Sequence, residues 1–275
     1  MKQKKSIDYS MTSTFFDCER KYYWRYIKNL TPKTEYLPFL TGRLIHKAIQ
    51  NINNNIDIGS VLKEFKDNYN PTEYTKGRSP DDITNLIINY YENNPLTKSG
   101  IMIIEAESKI FRPIIPGWNF TGRIDGIGLI GSTHYNIEYK TTSSLGELFI
   151  ASFSNNAQIT GYTWLSQSLH SQISTIVVLL PLTKTGEITT IFTARNKLQI
   201  ELFLKSIKKV ILSLQDKDNY ISNYHPNYCN CGGTFPTYKQ CDFYPICYSN
   251  KKDIKYIKKL LFKSEIWTPG GINNV

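Results

Sequence analysis

From Gly122 to Ile130 the chain is rich in isoleucine and glycine and carries a single carboxylate, Asp125. After a polar break at Gly131 to His134 it continues through Ile137, Glu138, Tyr139 and Lys140 towards Ser144. Two runs of β-branched and aromatic residues separated by turn residues predict an antiparallel hairpin. Side chains alternate along a strand, so Glu138 and Lys140 share one face while Tyr139 takes the other. Asp125, on the partner strand, reaches the same spot. Two carboxylates beside an ammonium attract a hard divalent cation. A lysine next to such a cation orients or deprotonates an attacking water, the minimum equipment for metal-assisted phosphodiester hydrolysis. Exposed strand faces carry the same residue types without any chemistry, so the reading depends on what the rest of the chain supplies.

A length of 275 residues suffices for one large domain with a buried core. The formal charge of +10 and pI near 9.2 favour a polyanionic partner such as nucleic acid, although the lysines are spread along the chain. The 19 Tyr and 13 Phe suit a base-stacking groove and a core equally. Met1 to Lys5 is basic but Ser6, Ile7 and Asp8 follow where a leader would be apolar, and no membrane-spanning run is visible. The expectation is a cytoplasmic protein. There, five cysteines point to a metal or cluster site and not to a disulfide framework.

Ser10 is the expected N-cap of a helix from Met11 to about Lys28, with Phe15, Cys18, Tyr22 and Tyr26 at helical spacing and Glu19, Arg20, Lys21 and Arg25 between them. Its basic face serves either solvent or DNA. Pro32 is expected to end it, with a loop from Thr31 to Pro38. A second helix runs from near Pro38 to about Ile52. Gly42 there lies one turn before His46 and leaves space beside its imidazole, a histidine that reads as packing or as a ligand. Helices follow at Gly59 to Tyr69 and, after the Ser79-Pro80-Asp81-Asp82 start signal, at about Asp81 to Asn93.

The apolar period then changes. Ile101 to Ile110, carrying Glu105 and Glu107, and Trp118 to Ile130 read as strands joined by a turn at Pro113, Pro116 and Gly117, and the third strand ends at Glu138 to Lys140. A helix at about Asn155 to Ser168 puts Gln158 and Tyr162 on one face. Thr175 to Leu180, apolar without interruption, reads as a strand inside the sheet. Gly186 to Ala194 is a fifth strand and Lys197 to about Gln215 a long helix. The cysteine-bearing segment from Cys229 to Cys247 and a lysine-rich helix from about Lys251 to Lys263 close the chain. This order gives an α/β fold: a mixed central sheet flanked by helices, with a helical region over 1–100, a core over 101–218 and a C-terminal segment over 219–275, compact as one domain.

Taken together, Gly42-x-x-x-His46, Gly122-Arg123-Ile124-Asp125, Glu138-Tyr139-Lys140 and Gln158-x-x-x-Tyr162 resemble the RecB-type branch of the PD-(D/E)XK nuclease superfamily. The resemblance implies a restriction-endonuclease-like core. It implies that His46, Asp125, Glu138 and the backbone carbonyl of Tyr139 hold Mg²⁺ or Mn²⁺, and that Lys140 is the catalytic lysine. Gln158 and Tyr162 would position the scissile strand or steady Lys140. Glu105 or Glu107 would lie near a second metal or behind the first, and Arg20, Lys21 and Arg123 would contact DNA.

The N-terminal run from Ser10 through Phe15, Cys18, Glu19, Arg20 and Lys21 to Tyr26 is similar to the opening of the iron–sulfur subset of these enzymes, which includes AddB-type and CRISPR-adaptation nucleases. The similarity implies a [4Fe–4S] cluster held by Cys18, Cys231, Cys241 and Cys247, with Cys229 possible in place of Cys231. Tyr238 stands where that subset has another cysteine. A zinc site of Cys229, Cys231, Cys241 and Cys247 is the alternative. The implied function is a DNA exonuclease acting at ends or on single strands, alone or with a helicase or recombination partner, in a setting such as a phage. A non-catalytic DNA-binding subunit is the alternative. No Gly-x-x-x-x-Gly-Lys-Ser/Thr loop is present, so helicase activity does not lie in this chain.

Overall fold

The computed structural model describes residues 4–71, 77–143, 145–182, 187–216, 221–231 and 240–271, with the backbone alone at 221, 229 and 230. In chain order the elements are β1 (Lys5–Ile7), α1 (Tyr9–Asp17), α2 (Glu19–Tyr22), a π-helical turn (Tyr23–Ile27), β2 (Leu30–Pro32), α3 (Leu37–Asn53), α4 (Ile58–Asn68), α5 (Pro80–Asn93), α6 (Pro95–Lys98), β3 (Met102–Ile115), β4 (Trp118–Ile130) and β5 (Thr133–Thr142). There follow α7 (Glu147–Ser152), α8 (Ala157–Ser166), β6 (Ile173–Pro181), β7 (Thr189–Thr193), α9 (Lys197–Asp216), α10 (Tyr228–Cys231), α11 (Tyr244–Cys247), α12 (Lys251–Leu261) and β8 (Phe262–Ser264). Among these residues no helix is long and apolar enough to cross a membrane. Two compact units result: Tyr36–Ile110 with Gly122–Glu201, and Met1–Glu35 with Phe111–Thr121 and Leu202–Val275.

The first unit holds the centre of the mixed sheet, in the order β4-β5-β6-β7, with β3 also paired to β4. β5 lies antiparallel to β4 and parallel to β6, and β7 returns antiparallel. The apolar run of β6 is buried on both faces for a reason the register makes plain. Ile176, Val178 and Leu180 join Ile137 and Tyr139 against α3, α4 and α5, while Val177 and Leu179 meet Phe153 and Ile159 around α7 and α8. Helices thus cover both faces of a strand whose side chains alternate. α5 begins where its start signal predicts: Ser79 Oγ accepts from Asp82 N–H at 3.1 Å, and Asp82 Oδ2 accepts from Ser79 N–H at 3.3 Å, a reciprocal capping box. β3 runs through Pro113 instead of turning there. An edge strand tolerates a proline because it has no ladder bond to lose on its open side.

In the second unit β1 runs parallel to the first residues of β4, pairing Lys5 with Trp118 and Ile7 with Phe120. The N-cap of α1 is Asp8, not Ser10: its Oδ1 accepts from Met11 N–H at 2.8 Å, and its Oδ2 accepts from Trp267 Nε1 at 2.8 Å and Gly270 N–H at 3.1 Å. One buried carboxylate therefore caps a helix and anchors the C-terminal segment. The continuous helix expected to Lys28 is broken at Cys18, whose backbone is extended (φ −164°, ψ 115°), and it ends at Asn29 (φ 53°), a residue that tolerates the left-handed conformation. In place of the expected loop, Leu30–Pro32 pairs antiparallel with Phe262–Ser264.

Candidate active site

Every residue of the expected site, apart from the cysteines and the N-terminal cations, lies in the first unit. Asp125 sits on β4 one residue before Gly126, which pairs with Ile137. Its Oδ2 accepts the Tyr139 N–H at 2.9 Å and faces His46 Nδ1 at 3.3 Å. His46 comes from α3. Gly42 on that helix faces β5: a Cβ there would stand 3.4 Å from Thr141 Oγ1, an ordinary contact, and within 4 Å of no atom of His46.

On β5, Tyr139 points into the α3–α5 layer, where its hydroxyl lies 2.9 Å from Tyr90 OH and accepts from Asn53 Nδ2 at 2.9 Å. Those bonds fix the strand between Glu138 and Lys140, which face α8 as the alternation predicts. Lys140 Nζ donates to Glu138 Oε1 at 2.5 Å and to Gln158 Oε1 at 2.9 Å, and Gln158 Nε2 donates to Tyr162 OH at 3.2 Å. α8 is held by a clamp with no sequence signature. Arg195, buried, donates to Thr160 Oγ1 (2.8 Å), Thr193 Oγ1 (2.7 Å) and the Phe153 carbonyl (2.7 Å), tying the start of α8 to the end of β7. Gly122 admits the other end of the chain of bonds. A Cβ there would meet Tyr162 Cε1 at 2.8 Å and Leu165 Cδ1 at 2.6 Å.

The two carboxylates are electrostatically unlike. Burial opposes charge on Asp125, but the His46 imidazole, Lys140 and the Tyr139 amide together outweigh it, so Asp125 is held below the ordinary carboxylate range. Burial also opposes charge on His46, and Asp125 overcomes it, raising the imidazole above its usual value. Glu138 goes the other way. Burial pushes it up to about 7, Lys140 pulls back, and the charge of Asp125 adds to the push. Glu138 Oε2 is buried and without a hydrogen-bond partner. A buried, unpartnered carboxylate oxygen needs a proton or a cation. With the Asp125 carboxylate and the Tyr139 carbonyl nearby in the chain, the donor set is all oxygen, which fits a hard divalent cation. Among the described residues, no three His, Cys, Asp or Glu side chains converge as a ready-made cage for one ion.

Glu107, in the left-handed region (φ 66°) on β3, brings its carboxylate to 3.6 Å from Arg123 Nη1. Glu105 is exposed, with its charge near His170. In the second unit Lys21 pairs with Asp17 at 3.0 Å, and Arg20 Nε donates to the Tyr224 carbonyl at 3.3 Å. The thiols of Cys18, Cys231, Cys241 and Cys247 are free. Burial raises Cys241, with Cys18 and Cys231 near enough to add, and burial pushes Cys247 up to about 12, with Cys241 and Cys18 adding. The charges of Cys18 and Cys231 act on Cys241, and those of Cys18 and Cys241 on Cys247, so these thiols lie in one region of the second unit. The Cys229 side chain and Tyr238 lie outside the described residues.

No curated protein matches the chain. Among solved structures it is similar to a candidate exonuclease from Eubacterium rectale, at 10% identity over 93% of this chain and 92% of that one, with a TM-score of 0.60. That likeness shows a shared fold. The chain also matches the protein SSO0001 (16% identity, 69% of this chain and 80% of that one, TM-score 0.33) and an alkaline exonuclease from Laribacter hongkongensis (14%, 60% and 89%, TM-score 0.28), at a level that carries no argument. The model of the PD-(D/E)XK nuclease superfamily matches residues 8–248, a span that contains Asp125 and the Glu138-Tyr139-Lys140 triplet, and this chain belongs to that superfamily.

Proposed function

We propose that the protein is a Mg²⁺- or Mn²⁺-dependent deoxyribonuclease that hydrolyses phosphodiester bonds at DNA ends or in single strands. The observation that carries this is Glu138: a buried carboxylate with one oxygen on Lys140 and the other unpartnered. Asp125, Glu138 and the Tyr139 carbonyl would hold the cation, with His46 completing the set or keeping Asp125 ionised. When bound there, a divalent cation polarises the scissile phosphate and lowers the pKa of water. The chain's own groups do the rest. Lys140, held between Glu138 and Gln158, orients the attacking water as an ammonium or, in its neutral amine form, takes the water's proton. Tyr162 steadies Gln158, and Arg123, paired with Glu107, would meet a phosphate oxygen.

This positioning gives a direct expectation. Gly122→Val forces the Tyr162 ring and Leu165 aside, at a cost of about 1–3 kcal/mol in stability. Cleavage is expected to fall about tenfold in kcat with KM little changed, because the Gln158 bracket around Lys140 loosens without loss of a substrate contact. A variant of unchanged kcat would separate Tyr162 from the reaction.

We further propose that Cys18, Cys231, Cys241 and Cys247 hold a [4Fe–4S] cluster in preference to Zn²⁺. What supports this reading is the set of four cysteines, with Cys18 from the N-terminal run beside three late ones, where a local zinc knuckle would leave Cys18 out. Protein purified without oxygen is expected to carry roughly four irons per chain, and one zinc per chain would replace this reading. The same preparation, given end-labelled DNA, is expected to release short products in Mg²⁺ or Mn²⁺ and none in EDTA. Binding that survives EDTA with no cleavage in either metal would make the protein a DNA-binding subunit instead.

A further inference from the structure

Helix α12 is an amphipathic helix whose outward face is cationic. Ile254 and Ile257 are half-buried and turned towards the chain, and none of its eleven residues is fully buried. Lys251, Lys255 and Lys259 recur every fourth residue and so form one stripe, with Lys252 beside it. All four are exposed, and among the described residues none of their ammonium groups has a carboxylate partner. Lys258 is turned elsewhere, 4.7 Å over the Trp24 ring. The nearby acids are committed: Asp253 accepts from Asn250 Nδ2, and Glu265 pairs with Lys263 at 3.4 Å. Like charges one turn apart destabilise a helix by about 0.2–0.5 kcal/mol per pair. Lys259, in the last turn, is favoured by the helix dipole, and among the described residues no carboxylate offsets the repulsion along the rest of the stripe.

Beside the stripe stands an aromatic ring. Tyr256 is 68% exposed and lies one turn from both Lys252 and Lys259. A bilayer would need an apolar stripe along the helix turned outward; the isoleucine stripe faces the chain, and the apolar residues that α12 does expose, Leu260 and Leu261, lie together at its C-terminal end. A row of unpaired ammonium groups flanked by an aromatic face matches a strand of phosphates with unstacked bases.

We infer that α12 is a docking surface for single-stranded nucleic acid, additional to the cleavage site. The lysine stripe grips the backbone and Tyr256 stacks on a base. The choice of nucleic acid among polyanions rests on the nuclease reading. The test uses the full chain in EDTA with a fluorescent oligothymidylate, its affinity followed by anisotropy across a salt series. The triple variant Lys251→Gln, Lys255→Gln, Lys259→Gln is expected to bind at least tenfold more weakly, and its slope of log affinity against log salt is expected to fall by about two, since each lysine releases about 0.7 counterion from a single strand. Tyr256→Ala is expected to cost about tenfold with the slope unchanged. Unaltered circular dichroism spectra keep either result from being a folding defect. Affinity and slope equal to the parent's would overturn the inference, as would lysine-dependent binding to phosphatidylserine vesicles with none to the oligonucleotide. Cleavage of the same oligonucleotide by the parent in Mg²⁺ is scored separately. A parent that binds through these lysines and cuts nothing sinks the nuclease reading alone, and a parent that cuts while ignoring the lysines sinks this one alone.

Discussion

Lys140→Ala is expected to lower the rate of DNA cleavage by about 10³-fold, the span a positioned proton-transfer group supplies, while leaving the fold and DNA binding intact. The side chain is partly exposed and packs no core, so its removal costs stability chiefly through buried Glu138, which is left to take up a proton or the cation in its place. Its ammonium group bonds Glu138 and Gln158, and in the proposed mechanism it orients the attacking water. Removing it also takes a positive charge away from the carboxylates, so the affinity for Mn²⁺ is expected to hold or rise. That combination separates a chemical role from a structural one. A lysine that merely neutralised Glu138 would, when deleted, leave cleavage intact once a divalent cation was supplied. Single-turnover cleavage in Mn²⁺, alongside Mn²⁺ binding followed by electron paramagnetic resonance, decides between them.

Glu138→Gln is expected to lose cleavage as completely and yet to gain stability at alkaline pH. Burial raises the folded-state pKa of Glu138 to about 7 from an unfolded value of 4.5. The stability linked to this group is therefore fully present below pH 4.5 and lost as pH rises through about 7. In EDTA the parent should lose stability between about pH 5 and 8. The amide, which does not ionise, flattens that slope and leaves the variant more stable at pH 8 by about 1–2 kcal/mol. Saturating Mg²⁺ raises the parent's Tm, because it binds the folded state alone, and should leave the variant's unchanged. Urea denaturation over this pH range, with and without Mg²⁺, measures both effects. A variant less stable than the parent at every pH would mean that the carboxylate is held by contacts that outweigh its burial.

The parts of this arrangement that follow from local rules could be read from the sequence, and the parts made by distant contacts could not. Alternation alone put Glu138 and Lys140 on the face opposite Tyr139, and the four-residue spacing put Gln158 and Tyr162 together, as their hydrogen bond confirms. The unbroken apolar run of β6 declared a strand inside the sheet, and it lies between β5 and β7. By contrast, β1, β2 and β8 are three residues each and exist only through their partners, so no window of sequence carries a period for them. Cys18 lies in a run with perfect helical spacing, and its extended backbone defies that pattern. Both Asp8 and Ser10 are good cap residues, and only the bonds from Trp267 and Gly270 choose between them. Arg195 is the clearest omission. An arginine following a strand looks like any surface cation until the carbonyl of Phe153 and the hydroxyl of Thr160 close around it.

The account rests on where a cation sits. Crystals of the protein soaked in Mn²⁺ and measured at the manganese absorption edge are expected to show one anomalous peak in contact, at about 2.1 Å, with an Asp125 carboxylate oxygen and Glu138 Oε2, on the side of β5 that Lys140 faces. A peak bound elsewhere, or none in protein that still cuts DNA in Mn²⁺, would contradict it.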